Sequence, residues 1–131
     1  MPAAASPLVL VVDDMADTRR LMRRLLERDG IRVVEAKSGE EAIEAIRRNR
    51  PDLVVLDLRM PGLSGFDVAR WLRSQADPQL ARTVVLACSA SVQPEIQREA
   101  LDAGCDAFEG KPFDVARFAA RIRQLLDERR P

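Results

Sequence analysis

The sequence predicts a doubly wound α/β domain, a five-stranded parallel sheet with helices packed on both faces. Three observations carry this prediction. Short apolar runs rich in β-branched residues recur at Leu8 to Val12, Leu53 to Leu56 and Val84 to Cys88, each too short for a helix and bounded by turn residues. Between them lie segments whose apolar residues fall at helical spacing, so that strand starts are about 20 to 30 residues apart, as in strand–helix–strand units. The runs also end in polar side chains, Asp13 and Asp14 after the first strand and Asp57 at the end of the third. In a parallel sheet of this kind ligands bind in the crevice beyond the carboxyl ends of the strands.

Each element has its own justification. After Leu8 to Val12, the segment Ala16 to Arg28 sets Leu21, Met22, Leu25 and Leu26 at helical spacing among Arg19, Arg20, Arg23, Arg24 and Arg28, and Asp29-Gly30 stops the helix. Ile31 to Ala36 is the second strand. Ser38-Gly-Glu-Glu41 has the Ser-x-x-Glu form of a capping box before Ala42, Ile43, Ala45 and Ile46, and Pro51 closes that unit. Leu53 to Leu56 is a strand buried on both faces, with Asp57 at its carboxyl end. The loop Pro61-Gly-Leu-Ser-Gly65 leads to a helix carrying Val68, Ala69 and Leu72, with Trp71 towards its edge, and Asp77-Pro78 marks a connection. Val84 to Cys88 runs into Ser89-Ala-Ser91. Pro94 opens a helix through Ile96, Ala100 and Leu101 that stops at Gly104. Ala107 to Gly110 is the fifth strand, ahead of Lys111-Pro112. Asp114 then caps a last helix whose inner face is Val115, Phe118, Ala119, Ile122, Leu125 and Leu126. Right-handed crossovers wind these units on both sides of the sheet. Residues 1–7 read as a flexible tail, 8–127 as the single domain, and 128–131 as a free end or linker stub.

The totals exclude several classes of function. A chain of 131 residues with balanced charge, 21 basic against 21 acidic side chains, lacks the basic excess of a nucleic-acid binder. The apolar runs are far short of a membrane span, and residues 1–7 carry no basic side chain to begin a secretory signal. Cys88 and Cys105 have no CxxC spacing and the chain has no His, so no zinc site is built. Placed at opposite ends of a parallel sheet, the two thiols are too far apart for a disulfide and read as small buried hydrophobes in a reducing cytoplasm.

In this architecture the polar residues at the strand ends converge although they are far apart in sequence: Asp13 and Asp14, Asp57, Ser89 and Lys111. Crowded carboxylates repel by about 4 kcal/mol per close pair at an effective dielectric of 20, so a cation belongs among them. An all-oxygen set suits a hard divalent ion such as Mg²⁺. Lys111 stands out because Lys37 is the one other lysine among the 21 basic residues. Its ammonium is a compact point charge for one phosphoryl oxygen or one carboxylate, where arginine offers a wide fork.

Val11-Val-Asp-Asp14, Asp57-Leu-Arg-Met-Pro-Gly62, Ser89-Ala90 and Gly104-Cys-Asp-Ala-Phe-Glu-Gly-Lys-Pro-Phe113 resemble, in order and over residues 8 to about 127, the receiver domains of two-component response regulators. The resemblance implies a flavodoxin-like sheet of strand order 2-1-3-4-5. It implies that Asp57 is the phosphoacceptor, and that Asp13, Asp14, Asp57 and the backbone carbonyl of Arg59 hold Mg²⁺. It further implies that Lys111 contacts the phosphate, that Ser89 is the switch hydroxyl with Phe108 as the switch aromatic, and that Lys111-Pro112 is cis. Phe108 stands where the family often has Tyr, so a hydroxyl contact from the switch aromatic is lost, and Ser89 stands for the equally common Thr. Arg59 and Ser91 occupy positions that tune phosphate lifetime in the family.

By the same resemblance, the phosphodonor is a sensor histidine kinase or a histidine phosphotransfer protein, or a small acyl phosphate. The Arg-rich first helix reads equally as a kinase-docking surface and as a solvated helix face, and a downstream protein target meets the face built by the helix near Pro94, the fifth strand and the last helix. The chain is similar to single-domain chemotaxis or cell-cycle regulators acting in the cytoplasm by protein contact, without nucleic acid or membrane insertion. The Gly104-Cys105 loop and the unbroken last helix favour the cell-cycle type. An aspartyl-phosphate phosphatase is the competing enzyme reading, disfavoured because Arg59 replaces the second Asp such enzymes carry. A receiver-like module that binds partners without phosphorylation is the other, disfavoured by five intact site positions.

Overall fold

The computed structural model describes residues 6–128; the parts of the expected tail at 1–5 and of the expected end at 129–131 lie outside the described residues. Five strands form one parallel sheet, β1 (Leu8–Val12), β2 (Arg32–Ala36), β3 (Leu53–Asp57), β4 (Val84–Ser89) and β5 (Ala107–Gly110), in the order β2-β1-β3-β4-β5. The fold class and strand order are those expected. Six helices are present among the described residues: α1 (Ala16–Arg28), α2 (Gly39–Asn49), α3 (Gly65–Arg73), α4 (Pro78–Ala81), α5 (Pro94–Ala103) and α6 (Phe118–Glu128).

Side-chain alternation along the strands divides the core in two. Leu10, Val12, Val54, Leu56, Val85 and Ala87 face Ala42 and Ile46 of α2, Val68, Ala69 and Leu72 of α3, and Ala100 and Ala103 of α5. Val9, Val11, Leu53, Val55, Val84 and Leu86 face Met22 and Leu26 of α1 and Phe118, Ile122, Leu125 and Leu126 of α6. Both faces of the central strands are therefore dry, and each buried Leu, Ile or Val contributes about 1.5–3 kcal/mol. Cys105 belongs to the first cluster and Cys88 to the second, so the sheet itself separates two free, buried thiols. Burial pushes them up to about 12 for Cys88 and about 11 for Cys105.

Local details depart from the sequence expectation in four places. The connection at Asp77-Pro78 is the short helix α4, with Asp77 as its N-cap accepting from the Gln79 N–H at 2.9 Å. The last helix begins at Phe118, not just after Asp114. The Asp114 carboxylate accepts from the Ala116 N–H (3.0 Å) and its carbonyl from the Arg117 N–H (3.1 Å), making a separate turn that leaves Val115 half exposed and off the inner face. Leu21 and Leu101 point outward, because the buried stripes run through Met22 and Leu26 in α1 and through Ala100 and Ala103 in α5. At α2 the Ser38 hydroxyl caps the Glu41 N–H as expected, but the Glu41 carboxylate reaches one residue further back, to the Lys37 N–H. The complete capping box is at Ser64 and Asp67 of α3.

Arg73, at the end of α3, gathers the edge of the sheet away from the strand-end acids. Its guanidinium donates to the carbonyls of Gly104 (2.9 Å), Ala81 (2.9 Å) and Thr83 (2.7 Å) and pairs with Asp106 at 2.7 Å. Asp106 in turn accepts from the Val85 N–H at 2.8 Å. Gly104, at φ +109°, is the left-handed end of α5, and a Cβ there would lie 2.5 Å from Arg73 Cγ. At the start of the described chain, the Ser6 and Pro7 carbonyls accept hydrogen bonds from Arg32.

Candidate functional site

Parallel register places the two central acids side by side. Val12 of β1 pairs with Leu56 of β3, so the next residues on each strand, Asp13 and Asp57, emerge together at the carboxyl edge. Both are buried, whereas Asp14 is exposed. One carboxylate oxygen from each of Asp13, Asp14 and Asp57 lies within 4.8 Å of the others. Two full charges at that separation repel by about 3 kcal/mol at an effective dielectric of 20.

Lys111, the first residue beyond β5, supplies the balancing charge. Its Nζ lies 2.6 Å from Asp13 Oδ2 and 3.5 Å from Asp57 Oδ1. Burial opposes that charge, but the hydrogen bond to Asp13 and the field of Asp57 outweigh it and raise the ammonium above its ordinary value. The Lys111 N–H donates to the Ser89 carbonyl at 2.9 Å, and the Lys111-Pro112 bond is cis, as expected. Ser89, the last residue of β4, is buried, and its Oγ accepts from the Ser91 N–H at 3.1 Å.

Asp57 is the perturbed acid. Burial pushes its carboxyl up to about 6; Lys111 and the Arg59 N–H pull it down, and Asp13 and Asp14 push it up. Its recorded contacts are with Oδ1: the Arg59 N–H at 3.3 Å and the Lys111 ammonium at 3.5 Å. Oδ2 has no hydrogen-bond donor among the described residues, and no fully buried polar side-chain atom there lacks a partner, so Oδ2 meets solvent. The site therefore presents one carboxylate oxygen with free lone pairs, backed by a fixed ammonium. Two further carboxylates beside it leave a surplus of negative charge that a hard divalent cation with oxygen ligands fits.

The structure thus gathers Asp13, Asp14, Asp57 and Lys111 into one cluster, with Ser89 at its rim. It does not bring Phe108 into the cluster. Phe108 pairs with Ala87 and packs, half buried, against the core on the α5 side. Two contributors escaped the sequence reading. Gly65 approaches so closely that a Cβ on it would lie 2.3 Å from the Asp57 carbonyl oxygen, and Ser64-Gly-Phe-Asp67 carried the capping-box signal that fixes this loop. Arg19 donates to the Asp13 carbonyl at 2.8 Å, and no spacing rule singles it out from the other arginines of α1.

Comparison with known proteins shows the family to which this fold belongs. The family model described as the response regulator receiver domain matches residues 9–123. The polar-differentiation response regulator DivK of Brucella anthropi is 32% identical over 120 residues, covering 92% of this chain and 96% of that protein. The response regulator MprA of Mycobacterium leprae is 42% identical over 123 residues, covering 94% of this chain and 52% of that protein, so the chain spans about half the length of that relative. Among solved structures, the receiver domain of the Francisella response regulator 1452 superposes with a TM-score of 0.86 at 31% identity, covering 95% of this chain and all of that one. The Vibrio cholerae chemotaxis protein CheY4 does so with a TM-score of 0.86 at 27% identity, covering 92% and 99%. The chain belongs to the receiver domain family of two-component response regulators.

Proposed function

We propose that this receiver is switched by phosphorylation of Asp57 from a partner's phosphohistidine, in a Mg²⁺-dependent transfer that changes which proteins it binds. The observation that carries the reading is the Asp57 carboxylate, with its Oδ2 open to solvent and its Oδ1 facing the Lys111 ammonium at 3.5 Å. Oδ2 attacks phosphorus in line. The new O–P bond forms as the P–N bond to the donor imidazole breaks, and the released electron pair stays on that nitrogen, which takes up a proton. Lys111 stands where it neutralises charge on a transferring oxygen. Asp13, Asp14, Asp57 and the backbone carbonyl of Arg59 would hold Mg²⁺, which when bound neutralises charge on the phosphoryl oxygens and orients them.

These 131 residues contain no His, which supports a donor on another protein, a sensor histidine kinase or a histidine phosphotransfer protein. The acyl phosphate adds acceptor oxygens at the mouth of the site. The Ser89 hydroxyl moves to them, away from the Ser91 N–H that donates to it, and the space it vacates lets the half-buried Phe108 turn toward the interior. Phosphate thereby shifts the population of two preexisting states. The readout is a protein partner at the face of α5, β5 and α6, where Val92, Leu101 and Val115 are exposed apolar side chains that support such docking. The setting is the cytoplasm, and the chain catalyses only its own phosphoryl transfer and release. No helix among the described residues is long and apolar enough to cross a membrane.

Intact-mass measurement after incubation with acetyl phosphate tests the reading. The expected result is a Mg²⁺-dependent gain of one phosphoryl group that Asp57→Ala abolishes. A folded protein that gains nothing from acetyl phosphate or from a cognate kinase refutes it in favour of a phosphorylation-independent binding module.

A further inference from the structure

Asp13 is held at every polar atom it owns, and each anchor comes from a different place. Its N–H donates to the Ala36 carbonyl of β2 (3.1 Å), its Oδ1 accepts from the Met15 N–H (2.8 Å), and its Oδ2 takes the Lys111 ammonium (2.6 Å). The fourth anchor is a side chain that no acid-site motif includes. Arg19 Nη1 donates to the Asp13 carbonyl at 2.8 Å while its Nε donates to Glu35 Oε1 at 3.0 Å. Glu35 sits on β2, in register with Val11, and its second oxygen takes Arg23 Nε at 2.6 Å. Arg23 reaches on to Glu27 at 2.8 Å. The Arg19 side chain is only 16% exposed, so this is a packed fork and not a surface pair that solvent loosens.

The loop so fixed is the one that must hold Asp13 and Asp14 against their mutual repulsion and that of Asp57. We infer that Arg19, oriented by Glu35, is a positioning residue for the cation site: it pins the main chain at Asp13 so that the carboxylates of Asp13 and Asp14 stay convergent. This rests on the reading of the acid cluster as a Mg²⁺ site. Outer partners that orient metal ligands typically contribute 10–100-fold in metal affinity. The sign of the effect separates positioning from plain electrostatics. Arg19 is a cation behind a cation site, so Coulomb's law alone makes its removal tighten Mg²⁺ binding. Positioning makes its removal weaken binding.

The experiment is a Mg²⁺ titration of the wild type and of Arg19→Ala, Arg19→Lys, Glu35→Gln and Arg20→Ala, followed by backbone amide NMR shifts. Circular dichroism and urea melts verify the fold of each variant. The expected result is a dissociation constant about tenfold higher for Arg19→Ala, with smaller increases for Arg19→Lys and Glu35→Gln. Arg20, which pairs with Asp17 in the open, is the control and should stay within about twofold of wild type. Should Arg19→Ala fail to fold, Arg19→Lys keeps the charge, loses the fork, and carries the test. Binding as tight as wild type, or tighter, in a folded Arg19→Ala overturns the positioning role while the acid cluster stands. A wild type with no saturable Mg²⁺ shift overturns the parent reading, and this inference with it.

Discussion

Replacing the buried Asp57 by its neutral amide should make the metal-free protein more stable, and only at neutral and alkaline pH. The Asp57 carboxyl is pushed by burial from 3.8 up to about 6. Each unit corresponds to about 1.4 kcal/mol, so an ionised Asp57 costs the fold about 3 kcal/mol, trimmed to about 2 by the solvent contact of Oδ2. Because the folded value lies above the unfolded one, the stability associated with the protonated acid is fully present below about pH 4. It is lost as pH rises through about 6. Asn is uncharged throughout and keeps an acceptor for Lys111 and the Arg59 N–H. Urea melts with a chelator present should therefore place the Asp57→Asn midpoint about 1 M above wild type at pH 8, for a slope of about 2 kcal/mol per molar, and level with it near pH 4. Millimolar Mg²⁺ should narrow the gap, since it stabilises the form it binds. An equal or lower midpoint for Asp57→Asn at pH 8, or the same advantage at pH 4, would refute the claim that burial of charge at this position is what strains the site.

Two further substitutions probe the same edge of the sheet. Lys111→Ala leaves the buried Asp13 carboxylate without its cation, which should cost about 3 kcal/mol in urea melts. It should also slow labelling of Asp57 by acetyl phosphate about 100-fold, read from the mass-shifted fraction against time. Gly65→Ala drives a Cβ into the Asp57 carbonyl oxygen and Leu58 Cα, atoms that cannot step aside, so it should destabilise by about 2–3 kcal/mol. Unaltered urea midpoints would contradict the close approach of this loop to Asp57.

The sheet was legible because β1, β3 and β4 are short apolar runs, too short for helices and bounded by turn residues, and the acids at the ends of β1 and β3 mark one edge of it. The site was legible for the same reason: strand order converts positions far apart in sequence into neighbours, and Asp13, Asp57, Ser89 and Lys111 each lie at or just beyond the end of a strand. What escaped was decided by hydrogen bonds that periodicity does not record. Asp114 closes a turn of its own, so α6 starts later than its apolar pattern suggested and Val115 is spent outside the core. The apolar spacing through Ile96, Ala100 and Leu101 marks α5 as a helix without saying which side is covered; Ala100 and Ala103 face the core and Leu101 faces out. Arg19 and Arg73 sit in a chain crowded with arginines, and only the carbonyls they reach set them apart.

Arg73 also has a mechanical meaning. By tying the Gly104 carbonyl to α4, to the entry of β4 and to Asp106, it anchors one end of α5, while the other end, at Pro94, follows the short connection 90–93 with no side-chain cap on the helix. A ten-residue helix is about 15 Å long, so a tilt of about 10° about the anchored end carries Pro94 through about 2.5 Å while Gly104 stays put. A push from the Ser89 end would therefore meet the part of α5 that is free to follow it, and the displacement would fade to nothing at the Gly104 anchor.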